Sequence, residues 1–287
     1  MSTSQPGFSV VPFARPRRVI VGYLDAASRK HLVHGLVEMD VTVPREMIRE
    51  HRSRTGESLS FTAFVVACVA RAVDADRSVH AYRLGRGRLV VFDEVDVCAL
   101  VERGAGAERI AAPYVFRAAN TRTYHEIHEE LRTVQAGEVP SFRQMEAGGR
   151  LPRLMGRWFW RAVGRRPHLW KRLSGTVGVT AVGMFGEGGG WGIPISAYTL
   201  NVTVGGIARK PGFGPDGRVE AREYLCLTVS VDHDVVDGAP AARFTQRLRE
   251  LIEGGYGLAE ASSGWAWQGA PGGQARSLAQ APARAGA

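Results

Sequence analysis

Residues 231–238, VDHDVVDG, set one imidazole, His233, among the carboxylates of Asp232, Asp234 and Asp237, with Gly238 directly after the last. Three kinds of chemistry use such residues: a metal cluster, a solvated strand-to-helix turn, or a general base with supporting groups. A metal cluster does not fit the spacing. Side chains alternate across a strand, so Asp232 and Asp234 face away from His233, and no second histidine or cysteine stands close by. A turn calls for Asp and Gly but gives no reason for the histidine. The base reading accounts for more: an imidazole at a strand's end titrates near neutral pH and can point into a cleft. A carboxylate four residues on, buried and paired with arginine, would then fix the turn.

A second candidate is HEIHEE (125–130). His125 and His128 could ligate a metal, but their i, i+3 spacing is not the i, i+4 pair of a zinc metalloprotease helix. Glu126, Glu129, Glu130 and Arg132 around them read as a solvated helical face.

The elements that must position these residues follow from periodicity. GLVEMDVT (35–42) alternates apolar Val37, Met39 and Val41 with polar neighbours, as a half-buried strand does. SLSFTAFVVACVARAVDAD (58–76) reads as a buried helix behind a serine start, and RLVVFDEVDVCALVE (88–102) as a strand. TRTYHEIHEELRTVQAG (121–137) is helical, AYTLNVTVGGIA (197–208) and EYLCLTVSVD (223–232) are strands, and APAARFTQRLRELIEGG (239–255) is a helix with Phe244, Leu248, Leu251 and Ile252 on one face. Strands and helices mix without regular alternation, which predicts an α+β fold. The glycine-rich GEGGGWG (186–192) lacks the lysine of a phosphate-binding loop.

Composition narrows the class. The 287 residues are 45% hydrophobic and 23% charged, as in an ordinary globular protein. We expect a flexible leader (1–14), one domain (15–258) and a disordered low-complexity tail (259–287). No apolar run is long enough for a membrane span and no secretory signal is evident. Cys68, Cys98 and Cys226 stand singly in apolar surroundings, which suits thiols in a reducing, cytoplasmic setting and neither a disulfide frame nor a zinc site. The net charge of +9 favours acidic partners. Much of it lies in 150–173, where arginines interleave with Trp158, Trp160 and Trp170. That stretch reads as an amphipathic surface helix. Membrane contact is the rival reading, and no nucleic-acid fold signature supports nucleic acid.

LTVSVDHDVVDGAPAARFTQRLRELIE (227–253) resembles the end of the acyltransferase catalytic domain of 2-oxo-acid dehydrogenase complexes, where a strand runs into D-H-R-x-x-D-G-A and a helix. PRRVIVGYL (16–24), VHGLVEMDVT (33–42, with His34), LSFTAFVVACVARAV (59–73) and the stretch 175–207 are similar to further family segments in the same order. Chloramphenicol acetyltransferase forms the wider kinship. The resemblance implies a mixed-sheet fold and a homotrimer with sites at subunit interfaces, where coenzyme A and an acyl carrier meet. It implies His233 as general base, and Thr180 (in GVTAVG) as oxyanion donor in place of the family's serine. Asp237 becomes a structural residue paired with Arg17 or Arg18, beside Gly238. The implied reaction moves an acyl group between coenzyme A and a dihydrolipoyl group, supplied in trans by a lipoyl-bearing protein, or another thiol, amine or hydroxyl. It needs no metal and no lipoyl group on this chain. Asp234 stands where the family has arginine, and near His233 it would favour the imidazolium and repel anions. The rival expectation is a non-catalytic trimeric scaffold that keeps the fold.

Overall fold

The computed structural model describes residues 3–5, 7–13, 15–103, 110–137, 153–181 and 188–261. Six strands form one mixed sheet in the order β3-β10-β9-β8-β6-β7. They are β3 (Leu32–Asp40), β6 (Val97–Arg103), β7 (Ile110–Phe116), β8 (Val177–Ala181), β9 (Leu200–Phe213) and β10 (Val219–Asp232). β8 runs parallel to both β6 and β9, and the other pairs are antiparallel. Two small hairpins lie apart: β1 (Thr3–Gln5) with β2 (Phe8–Val10), and β4 (Tyr82–Leu84) with β5 (Arg88–Val90). The α+β expectation holds.

One sheet face is the core. Met39, Leu200, Val202, Leu225, Leu227 and Val229 are buried against the helices α3 (Phe61–Ala75) and α7 (Gly238–Glu253). The apolar run in α3 buries nearly all its length, and Ser60 caps its start by accepting the Ala63 N–H. α4 (Tyr124–Gln135) begins with a Thr123–Glu126 capping box. The helices α1 (Arg15–Ala27) and α2 (Thr42–Thr55) flank β3 in the chain. After the turn at Gly254–Gly257 a short helix α8 (Leu258–Ala261) follows, its Leu258 fully buried. Residues 262–287 of the expected tail lie outside the described residues.

Two expectations change. The stretch 88–102 is not one strand but β5 and β6, because the chain must turn to bury Asp96. That carboxylate accepts the Arg117 guanidinium at 2.8 Å and the Ala118 N–H at 2.9 Å, and stands 3.1 Å from Lys171 Nζ. The basic segment forms two helices, α5 (Arg153–Gly164) and α6 (Pro167–Ser174), split by Pro167 at the start of the second. Trp170 is buried and donates to the Tyr82 hydroxyl at 3.0 Å, while Trp160 packs edge-on to Tyr23. The surface-helix reading therefore fits these two tryptophans, but Trp158 is 74% exposed. No described helix is long and apolar enough to cross a membrane.

His80 ties β8 to the β4–β5 region. It is fully buried, its Nε2 donates to the Phe92 carbonyl at 3.1 Å, and its Nδ1 meets the Thr176 hydroxyl at 3.0 Å. Burial disfavours the charged ring and pushes its pKa down to about 4. The unfolded chain takes up this proton near pH 6.5 and the folded chain only near 4, so the stabilisation is complete above 6.5 and falls as the pH drops. Urea unfolding will show about 2 kcal/mol of this loss between pH 7.5 and pH 5, and the loss will shrink in His80→Gln.

Candidate functional site

The face of the sheet opposite the core carries the polar residues. On it the register lines up His34, Ser230, Asn201 and Gly178 in one row, and Leu36, Thr228, Thr203 and Thr180 in the next. His34 Nδ1 and the Ser230 hydroxyl are 2.8 Å apart. Gly178 is required there: a Cβ would lie 2.4 Å from Asn201 Oδ1 and 2.7 Å from the Tyr198 ring. Thr180 is half-exposed on this face. The strap from Gly188 also crosses it, with Gly190 and Gly206 in a backbone bridge so close that a Cβ on Gly205 would meet the Gly190 carbonyl at 2.1 Å. Trp191 extends the strap to β3 by donating to the Val37 carbonyl at 3.1 Å. Close backbone approach accounts for Gly205 and Gly206.

β10 ends at Asp232, and the turn it enters is held by that residue. The Asp232 carboxylate is almost fully buried and accepts Lys30 Nζ at 2.5 Å. Its other oxygen accepts the Asp234 N–H, and its carbonyl accepts the N–H groups of Val235 and Val236. The His233 N–H donates to the His31 carbonyl at 2.9 Å, locking the turn to the start of β3. His233 is thereby presented outward, its side chain 51% exposed.

Asp237 behaves differently from the expectation. Its carboxylate is 87% exposed and lies 3.9 Å from His233 Nδ1. It is the N-cap of α7 but accepts no capping hydrogen bond, and Gly238 begins the helix. Among the described residues no arginine pairs with it. Arg17 is exposed, and the Arg18 side chain is outside the described set. The work assigned to Asp237 and Gly238 is done by Asp232, Lys30 and the backbone. Sequence held one signal for this: the first strand, which starts beside Lys30, carries the same alternation as the last and so could pair with it.

Asp234 is likewise committed elsewhere. Its oxygens meet His31 Nδ1 at 2.9 Å and the Arg83 guanidinium at 2.8 Å. The His31 hydrogen bond, with Arg83 behind it, holds its carboxyl below the usual range. The negative charge of Asp234 is thus balanced locally.

His125 and His128 do not act together. His125 is exposed, as are Glu126, Glu129 and Arg132 of the expected solvated face, whereas His128 is fully buried. It accepts the Ser60 N–H at Nδ1 (3.2 Å), leaving the proton on Nε2 for Glu57 at 3.1 Å. Ligand atoms of Glu57, His128 and Glu129 do cluster within 4.8 Å. The proton on Nε2 faces that cluster, the wrong tautomer for a metal there.

Comparison with known proteins places these features. Residues 172–258 match the family model of the 2-oxoacid dehydrogenases acyltransferase (catalytic domain), a segment that includes β8, β9, β10 and the His233 turn. The lipoamide acyltransferase component of the branched-chain alpha-keto acid dehydrogenase complex of Bacillus subtilis (strain 168) is 23% identical over 260 residues, 87% of this chain and 53% of the relative. The chain thus spans about half the length of that curated relative. A probable dihydrolipoamide acetyltransferase from Listeria monocytogenes 4b F2365 superposes with a TM-score of 0.64 at 18% identity, over 88% of this chain and 97% of the other. Chloramphenicol acetyltransferase superposes with a TM-score of 0.50 at 12% identity, over 84% and 96% of the two chains. The fold is that of these acyltransferases, as the sequence motifs imply.

Removing one partner of a buried ion pair strands the other charge, a loss of about 3–5 kcal/mol. Lys30→Met will therefore destabilise the chain by about 3 kcal/mol in chemical unfolding. Asp237→Asn, altering an exposed carboxylate, will leave the unfolding midpoint in place.

Proposed function

We propose that this chain is a coenzyme A-dependent acyltransferase whose site is completed by a second copy of itself. The observation that carries this reading is a separation. Thr180 lies level with Thr203 and Thr228 in the sheet. His233 lies five residues beyond Thr228, and β8 lies two strands from β10, so strand geometry separates the two by about 20 Å. A base and an oxyanion donor must both reach one reacting carbonyl, within about 3 Å. Within one chain they cannot; across an interface they can.

The polar face supports such an interface. Leu36, Trp191, Ile193 and Ile195 are exposed around it, apolar surface of the kind that a second chain covers. We take the assembly to be a homotrimer, in keeping with the family resemblance. In it His233 removes the proton from the attacking thiol. A free thiol titrates near pH 8.5 and is mostly protonated at neutral pH, so an adjacent base raises the thiolate fraction. The thiolate attacks the thioester carbonyl, and the Thr180 hydroxyl of the neighbouring chain donates to the oxyanion that forms. Collapse of that intermediate expels the second thiolate, which recovers the proton from the imidazolium. The acceptor is a dihydrolipoyl group supplied by another protein, or another small thiol, amine or hydroxyl. Asp237, 3.9 Å from His233 Nδ1, is placed to favour the imidazolium as it forms.

The test is transfer from a panel of acyl-CoAs to dihydrolipoamide and small acceptors. His233→Ala will lower kcat at least about 100-fold, and Thr180→Ala by about 100-fold or more, with both variants folded. Unchanged transfer in His233→Ala removes the base assignment, and absence of transfer with every pair in the wild type favours the scaffold. Light scattering will give the mass of three chains; a monomer mass contradicts the shared site.

A further inference from the structure

On the flank of the His233 turn, α1, α5 and β4 line an open recess of about 450 Å³, a size typical of small-ligand pockets. Its wall sets five cations against two carboxylates. Lys30 and Arg83 are already paired, with Asp232 and Asp234. Arg29, Arg161 and Arg165 are exposed and have no carboxylate partner among the described residues. Arg161 lies in the last turn of α5 and Arg165 directly follows its end at Gly164; both line the cavity. The C-terminal ends of α1 and α5 lie beside Arg29 and Arg165, and their dipoles hold cations there. Among the described residues, three guanidiniums without a carboxylate partner thus line one space.

Trp158, on α5 with Arg161, lines the same cavity. Trp160 and Trp170 pack into the aromatic cluster with Tyr23 and Tyr198. Trp158 does not, and a 74% exposed indole serves no packing role. We propose that this cavity binds a nucleotide: Arg29, Arg161 and Arg165 take the phosphate oxygens and Trp158 stacks on the base. Guanidiniums bind phosphate through paired N–H donors, and an indole gives a base a stacking surface. The recess favours a small ligand over a membrane, which would need Trp160 and Trp170 turned outward as well. Two sources share this chemistry, the nucleotide end of an acyl-CoA and a free nucleotide. The proposal stands whether or not the chain transfers acyl groups.

Tryptophan fluorescence of the full-length protein, titrated with 3′,5′-ADP, ADP and inorganic pyrophosphate, tests it. Both nucleotides will quench saturably, and added salt will weaken them. Arg161→Glu/Arg165→Glu will lower nucleotide affinity at least tenfold. Calorimetry on Trp158→Ala will show weaker nucleotide binding with pyrophosphate binding retained. Displacement of 3′,5′-ADP by acyl-CoA identifies the coenzyme as the source; no displacement identifies a free nucleotide. The proposal is overturned if neither nucleotide binds saturably, or if the double charge reversal leaves their binding unchanged. Binding to anionic vesicles without nucleotide binding would overturn it in favour of a membrane contact.

Discussion

A carboxylate removed from water must find a fixed partner, and Asp232 finds one in Lys30 at the opposite end of the sequence. This pair joins the turn before β3 to the turn after β10, so the edge of the sheet and the start of α7 form one unit. The His31 carbonyl strengthens the join by taking the His233 N–H. His31 and Arg83 extend it through Asp234. His233 inherits its direction from this network. It needs no buried partner of its own, which leaves the imidazole half-exposed to solvent.

The two faces of the sheet divide the remaining work. One is packed with aliphatic side chains against α3 and α7 and supplies most of the hydrophobic stabilisation. The other carries hydroxyls, an amide and an imidazole, crossed by a strap that lies on the backbone of β9 at Gly205 and Gly206. Buried polar groups at this density cost stability unless paired, and His34 pairs with Ser230 along one row while Asn201 pairs with Thr203 across to the next. Thr180 sits at the accessible end of this face, where its hydroxyl can be offered across an interface.

Much of the fold was legible in the sequence because alternation and helical periodicity report burial directly. β3, β9, β10, α3, α4 and α7 all fall where those patterns set them. β5 and β6 did not separate, because nothing in VVFDEVDV distinguishes a surface aspartate from one buried under Arg117 and Lys171. The same blindness hid the site's support. Local spacing made Asp237 look like the anchor of His233, whereas the anchor is the adjacent Asp232, fixed by a lysine two hundred residues away. Likewise, nothing in HEIHEE tells that His128 turns inward to Ser60 and Glu57 while Glu126 and Glu129 stay exposed. Long-range ion pairs and buried polar contacts leave no periodic trace.

The central claim is that His233 of one chain and Thr180 of another act on the same thioester. Co-refolding His233→Ala with Thr180→Ala in equal amounts tests it most directly. In a mixed trimer about a quarter of the interfaces pair an intact His233 with an intact Thr180. The account predicts acyl transfer at about one quarter of the wild-type rate from two variants that are each nearly inactive alone. A mixture no more active than its separate components would contradict it.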